Sequence, residues 1–212
     1  VARARIASPI HVVGWIVALV ALAWFTQTTV AGKLDGSFAQ LVSGLHGGTF
    51  DSVMLTLSEV VRPAYIAPAT LVAALVLWWR FRVMALLLPA SFGASIAVTY
   101  AMKWFLDRDR PGETLSLVNL HDAAFPSAHV AGTTSTGMAV IQLLLPVLRN
   151  AARKLLDAAI IALIGAVSLS RVWVGAHWLT DIIGGLIAGI VGLIVALLVL
   201  RRWQRGRRLR FA

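Results

Sequence analysis

An all-helical bundle embedded in a membrane is the fold class this sequence predicts, and three observations predict it. Of 212 residues, 59% are apolar and 13% charged, with a mean hydropathy of +0.83; soluble domains carry about 25% charged residues. Apolar runs of about 20 residues recur, the length a helix needs to cross a bilayer. The basic residues gather at the ends of those runs. Cysteine is absent, which excludes disulfides, thiolate metal sites and a cysteine nucleophile.

Six transmembrane helices are read at 10–31, 63–79, 83–104, 127–148, 155–173 and 178–200. Between the first two lies a less apolar stretch, Lys33 to Arg62. Its residues Phe38, Leu41 and Leu45, then Val53, Leu57, Val60 and Val61, recur at helical spacing, and Gly47-Gly48 separates the halves. That pattern predicts short helices on the membrane surface or packed over the site. Arg3 and Arg5 before the first run resemble a signal peptide, but the run exceeds a usual signal core and is read as a retained anchor. The whole of 1–212 is expected to form one membrane-embedded domain, with no soluble domain appended.

Orientation follows from the cations. Of 19 Lys and Arg, only Lys33, Arg62, Lys103, Arg108, Arg110 and Arg171 fall on the side opposite the termini. Positive-inside logic places both termini in the cytoplasm. Of nine acidic residues, only Asp157 falls on that cytoplasmic side. The net charge of +10 therefore reads as membrane flanks rather than a nucleic-acid surface. Its densest run, Arg201 to Arg210, reads as a cytoplasmic anchor with a snorkelling Trp203. Trp78, Trp79, Trp104, Trp173 and Trp178 also sit near span ends, as interfacial aromatics do.

Three polar clusters interrupt the apolar chain, all on the predicted outer face: Lys103-x6-Arg110-Pro111, Pro126-Ser127-Ala128-His129, and Ser170-Arg171-x5-His177-x3-Asp181. A boundary Lys alone reads as a snorkelling anchor, but three cations in linked clusters suit phosphate, which Arg grips in two-point fashion. Pro111 stiffens the loop carrying Arg110. Arg108, Asp107 and Asp109 are expected to pair among themselves. Ser127 is placed to cap a helix whose N-terminal amides, Ala128 included, favour an anion. His129, in the first turn beside that anion, is positioned as a general acid. Asp181 shares a helical face with His177 and can orient its ring. Two histidines and an aspartate also suggest zinc, but the cations Lys103, Arg110 and Arg171 would repel a metal, so none is expected. The small residues 132–137, with Gly184, Gly185, Ala188, Gly189 and Gly192, read as helix-packing positions. Their packing would bring His129 and His177 together. His11, His46 and His121 are given no catalytic part.

These residues resemble the signature of the type-2 phosphatidic acid phosphatase superfamily, the lipid phosphate phosphatases. Its motifs are Lys-x6-Arg-Pro, Pro-Ser-Gly-His and Ser-Arg-x5-His-x3-Asp. The chain departs from them only at Ala128, where glycine is usual. The resemblance implies an all-helical, metal-independent membrane enzyme without a cofactor that works through a phosphohistidine. Carried across, His177 is the nucleophile, Asp181 its orienter and His129 the acid. Lys103, Arg110, Ser127, the Ala128 amide and Arg171 hold the phosphate.

The implied substrate is a lipid phosphate or pyrophosphate reached from the bilayer, with polyprenyl pyrophosphate or phosphatidylglycerophosphate foremost and phosphatidic acid or lipid A phosphate behind. Lys33–Arg62 is the expected specificity lid. Rival readings are a lipid phosphotransferase, a lipid or anion transporter using the same cationic pocket, and vanadate-dependent haloperoxidase chemistry.

Overall fold

The computed structural model describes residues 8–210, with side chains described to residue 206. Arg3, Arg5 and the side chains of Arg207, Arg208 and Arg210, all part of the predicted basic flanks, lie outside the described residues. Among the described residues there are eight α-helices and no strand: α1 (Pro9–Phe25), α2 (Thr29–Ser43), α3 (Gly48–Val60), α4 (Pro63–Phe81), α5 (Leu87–Leu106), α6 (Ala128–Leu144), α7 (Asn150–Trp173) and α8 (Leu179–Arg210). Short 3-10 turns occupy Arg82–Leu86 and Glu113–Leu115.

A helix stands at each of the six predicted spans, but their lengths and polarity differ from the expectation. By length and apolarity, stretches 63–106, 150–173 and 179–206 can cross a membrane, four in all if the bent pair α1 and α2 is one span. The six-span count is thus not established by these criteria. The α1 and α6 helices have 17 residues each, short of the ~20 that a crossing takes. The predicted first span runs to residue 31, yet α1 stops at Phe25. There the Thr26 hydroxyl donates to the Ala23 carbonyl, and Thr28 accepts from the Ala31 amide to cap α2. The chain turns by 81° between them. The 44-residue stretch 63–106 is interrupted at Arg82, whose φ of 51° and ψ of −133° leave the helical region.

The α8 helix is buried along most of its span, while 63–106 and α7 are mostly exposed. It packs chiefly on α5, α6 and α1. The exposed helix faces carry Trp24, Leu75, Val76, Trp79, Trp104, Leu155 and Ile161. So much exposed apolar surface marks a lipid-facing exterior.

Small residues set the spacing between α8 and its neighbours, as their sequence pattern predicts. A Cβ at Gly185 would lie 2.8 Å from the Ser127 carbonyl oxygen, and one at Gly189 2.7 Å from Thr134 Cβ. At Gly192 it would lie 2.5 Å from the Ser95 nitrogen. Backbones packed this closely leave no room for a side chain. The α5–α6 contact adds a Ser95–Ser135 hydroxyl bond of 2.9 Å. Gly189→Val is therefore expected to cost about 1–3 kcal/mol by overpacking and to lower the unfolding midpoint in detergent. Gly93→Ala, where an added Cβ meets nothing within 4 Å, is the control and should not lower it.

Candidate active site

The residues of all three sequence clusters meet at one end of the bundle because five helices turn there. Lys103 lies in the last turn of α5, His129 in the first turn of α6 and Arg171 in the last turn of α7. Arg62 precedes α4, and His177 precedes α8. The long loop 107–127 is tied down rather than loose. The Ala124 amide donates to the Arg108 carbonyl at 2.7 Å, and Leu117 to Val174 at 3.0 Å. The Trp178 indole donates to the Asp109 carbonyl at 2.8 Å. Gly175, two residues before His177, has a φ of +65° and lies so close to the Leu115 carbonyl that a side chain would collide with it. Glycine alone suits both conditions.

Lys103, Arg110, Ala128, His129, Arg171 and His177 line one cavity of about 390 Å³. Its wall is completed by Ser58 and Glu59 of α3, by Arg62, Pro63 and Ala64, and by Tyr100, Val118, Leu120 and Asp122. The structure thus brings the expected cations and both imidazoles to a common space. Ser127 lies just behind it, fully buried, with its amide donating to the Asp181 carbonyl at 3.0 Å. Ser127 occupies the N-cap of α6 as expected, but its hydroxyl makes no cap bond. The Ser127 Oγ, His129 Nε2 and Arg171 Nε are buried without a protein partner. Buried polar atoms are nearly always paired, so this cluster retains bonding capacity for a ligand.

His177 is held between opposite charges. Its Nδ1 faces Asp181 Oδ2 at 3.4 Å, an electrostatic approach rather than an aligned hydrogen bond. Its Nε2 lies 3.4 Å from an Arg110 guanidinium nitrogen. Arg110 also donates to the Ala176 carbonyl, fixing the loop that carries the imidazole. Burial first, then the Arg171, Arg110 and Lys103 cations, push the His177 imidazole well below its ordinary pKa. That shift favours the neutral imidazole near pH 7.

Arg108 departs from expectation. It does not pair with Asp107 or Asp109 but bridges two buried carboxylates, Asp35 at 2.7 Å and Asp181 at 2.5 Å. Thr180 joins them, its hydroxyl donating to Asp35 Oδ2 at 2.6 Å and its amide to Oδ1 at 3.1 Å. Charge left alone in a dry interior is costly, so these carboxylates draw Arg108 inward from the loop. Asp35 was missed in the sequence, although it shares a helical stripe with Ala31, Ala39 and Val42, all buried in α2. A carboxylate on an apolar stripe is a readable signal.

Two further contributors were also missed. The Asp122 carboxylate pairs with Lys103 at 3.0 Å and Arg110 at 2.8 Å. The Ser58 hydroxyl, on α3, receives a guanidinium hydrogen bond from Arg171. The segment 33–62 is accordingly packed over the site. His46, given no catalytic part, makes a 2.7 Å bond to the Trp173 carbonyl, and Asp51 accepts from the Trp173 indole at 2.8 Å. Among the described residues, no three His, Asp or Glu side chains converge as a metal-ligand set. Arg108→Met should strand two buried carboxylates and destabilise the protein by about 3–5 kcal/mol, read as a lowered unfolding midpoint in detergent.

Comparison with known proteins agrees with this architecture. The Escherichia coli (strain K12) protein named "Putative undecaprenyl-diphosphatase YbjG" is 32% identical over 139 residues, which are 62% of this chain and 65% of that protein. The chain thus spans just under two thirds of that relative's length. Its fold is similar to the crystal structure of a transmembrane PAP2-type phosphatidylglycerolphosphate phosphatase from Bacillus subtilis, with a TM-score of 0.80 at 19% identity. That likeness covers 90% of this chain and 96% of the other. It also resembles Aquifex aeolicus LpxE, with a TM-score of 0.62 at 17% identity over 77% of this chain and 94% of that one. The model of the PAP2 superfamily matches residues 83–205, a stretch holding all three polar clusters and the helices that gather them, and the chain belongs to that superfamily.

Proposed function

We propose that this protein is a lipid phosphatase that transfers a phosphoryl group to His177 and then to water, without a metal. One observation carries the reading: the buried His177 imidazole stands with Asp181 at one ring nitrogen and Arg110 at the other. A carboxylate that orients the ring and a cation that can hold phosphate beside the other nitrogen suit a histidine nucleophile. The carboxylate favours the proton on Nδ1, which leaves Nε2 free to attack a phosphorus held by the cations.

In the first step Nε2 of His177 attacks phosphorus in line, and the bond to the leaving oxygen breaks. His129, in protonated form once the anion is bound, donates its proton to that oxygen. Lys103, Arg110, Arg171, the Ser127 hydroxyl and the Ala128 amide stabilise the equatorial oxygens, the largest catalytic contribution in such transfers. In the second step water attacks phosphorus while His129 takes its proton, and inorganic phosphate leaves with His177 restored.

The substrate is a phosphate or diphosphate on a lipid. Apolar wall residues Leu55, Pro63, Ala64, Val118 and Leu120 stand beside the cations, which suits a head group arriving with its chain. A polyprenyl diphosphate is the foremost candidate, supported by the name of the Escherichia coli relative. Phosphatidylglycerophosphate is second. The site faces the extracytoplasmic side and both termini the cytoplasm, a reading supported by the basic residues Arg80, Arg82, Arg149 and Arg153 on segments away from the cavity.

His177→Ala is expected to lower phosphate release from lipid phosphates by at least about 10³-fold with an unchanged unfolding midpoint. A variant retaining a sizeable share of turnover would refute the nucleophile. Activity should persist in excess chelator and be inhibited by vanadate. The depressed pKa also sets a sign for pH dependence. A group that is neutral at pH 7 stays competent as pH falls, so the acid limb of kcat/KM due to His177 should lie below about pH 6.5. An acid limb centred near pH 7 that disappears with His177 would contradict a neutral nucleophile.

A further inference from the structure

We propose that Asp122 is an internal competitor for the anion site, which admits doubly charged phosphate groups and keeps singly charged phosphodiester head groups out. The inference rests on the phosphatase reading above. Its carboxylate engages two of the three cations assigned to phosphate, Lys103 through Oδ2 at 3.0 Å and Arg110 through Oδ1 at 2.8 Å. The cations themselves are deeply buried, with side-chain exposures of 6% and 10%, whereas that of Asp122 is 56% exposed. Ion and counter-ion therefore differ in freedom: the cations are fixed and the carboxylate is not.

The backbone around Asp122 is held independently of its side chain. Arg110 Nε donates to the Asp122 carbonyl at 2.7 Å, and Lys103 donates to the Ala123 carbonyl. Rotation of the Asp122 side chain toward solvent thus frees the Lys103 and Arg110 donors that its carboxylate holds, while their bonds to the backbone keep the loop in place. Burial would raise the Asp122 pKa, but Lys103 and then Arg110 outweigh it and hold the carboxyl below the usual range. It is an anion throughout the neutral range.

Charge decides what displaces it. A phosphate monoester or terminal diphosphate carries close to two negative charges near pH 7 and gains more from Lys103 and Arg110 than one carboxylate does. A phosphodiester carries a single charge, as Asp122 does, and gains nothing by replacing it. A phosphatase in a bilayer is surrounded by diester head groups at high local concentration, so an unguarded cationic pocket would fill with them. Asp122 also offers the departing phosphate a replacement anion. Arg171, by contrast, pairs with no carboxylate among the described residues and bonds Ser58. Its Nε is buried without a partner, so an anion can bind there without displacing a carboxylate.

The test uses the full chain purified in dodecyl maltoside. Inorganic phosphate is titrated calorimetrically into wild type and Asp122→Asn, and the variant should bind about tenfold more tightly because two ion pairs no longer compete. In mixed micelles, phosphatidylglycerol should inhibit lipid-phosphate turnover by the variant several-fold more than by wild type. Asp122→Glu, which keeps the charge, should behave as wild type in both assays, and Asp122→Ser should reproduce the Asn variant if that one fails to purify. Phosphate binding no tighter in the neutral variants, or equal inhibition by the diester, overturns the proposal. If no form of the protein dephosphorylates a lipid yet phosphate still binds more tightly to Asp122→Asn, the phosphatase reading falls and the internal competitor stands.

Discussion

Charge placed beside lipid must be balanced within the protein, and the active end of this bundle is organised around that requirement. Its centre is Arg108, a loop residue drawn inward to join Asp35 and Asp181. The three groups sum to one negative charge on the Nδ1 side of His177. Arg110 stands at Nε2, and Lys103 and Arg171 line the same cavity. The imidazole thus sits between a carboxylate at one ring nitrogen and a guanidinium at the other. Losing Arg108 would leave two buried carboxylates without their cation, so position and charge state are coupled.

This balance depends on helices that pack closely enough to exclude water. Glycines on α8 press its backbone against α6 and α5 with no room for side chains. The same contact carries Ser127 to the Asp181 carbonyl, so structural packing and site assembly are one event. The apolar exterior needs no such fit, because lipid fills irregular surface that water would penalise. The α2–α3 segment closes the remaining side. It does so through three polar anchors at the end of α7 and the start of α8: Asp35 on Thr180, Ser58 on Arg171, and Asp51 with His46 on Trp173. A segment held at so many points acts as a wall of the cavity more than as a mobile lid.

Residue type and spacing along the chain were enough to identify the helical membrane class, a helix at each of the six predicted segments, and six of the residues that line the cavity, Lys103, Arg110, Ala128, His129, Arg171 and His177. Helix periodicity, apolar run length and motif spacing are local properties. They need no knowledge of which segments touch. The first helix was read too long because Thr26 and Thr28, whose hydroxyls end one helix and start the next, carry little weight in a hydropathy window. The 17-residue α6 was read as 22 residues for a related reason: its pattern continues past Leu144 although the helix does not.

Partner choice among charges was another matter. Neighbours in sequence, Asp107 and Asp109, looked like the natural mates of Arg108, yet burial favoured Asp35 and Asp181, each 73 residues away. Asp122 and Ser58 gave no motif signal at all. An ion pair is decided by distance and desolvation, which arise only when helices distant in sequence converge. The chain alone therefore shows which groups are capable of chemistry, whereas folding decides which charges pair, Arg108 with Asp35 and Asp181, and Asp122 with Lys103 and Arg110.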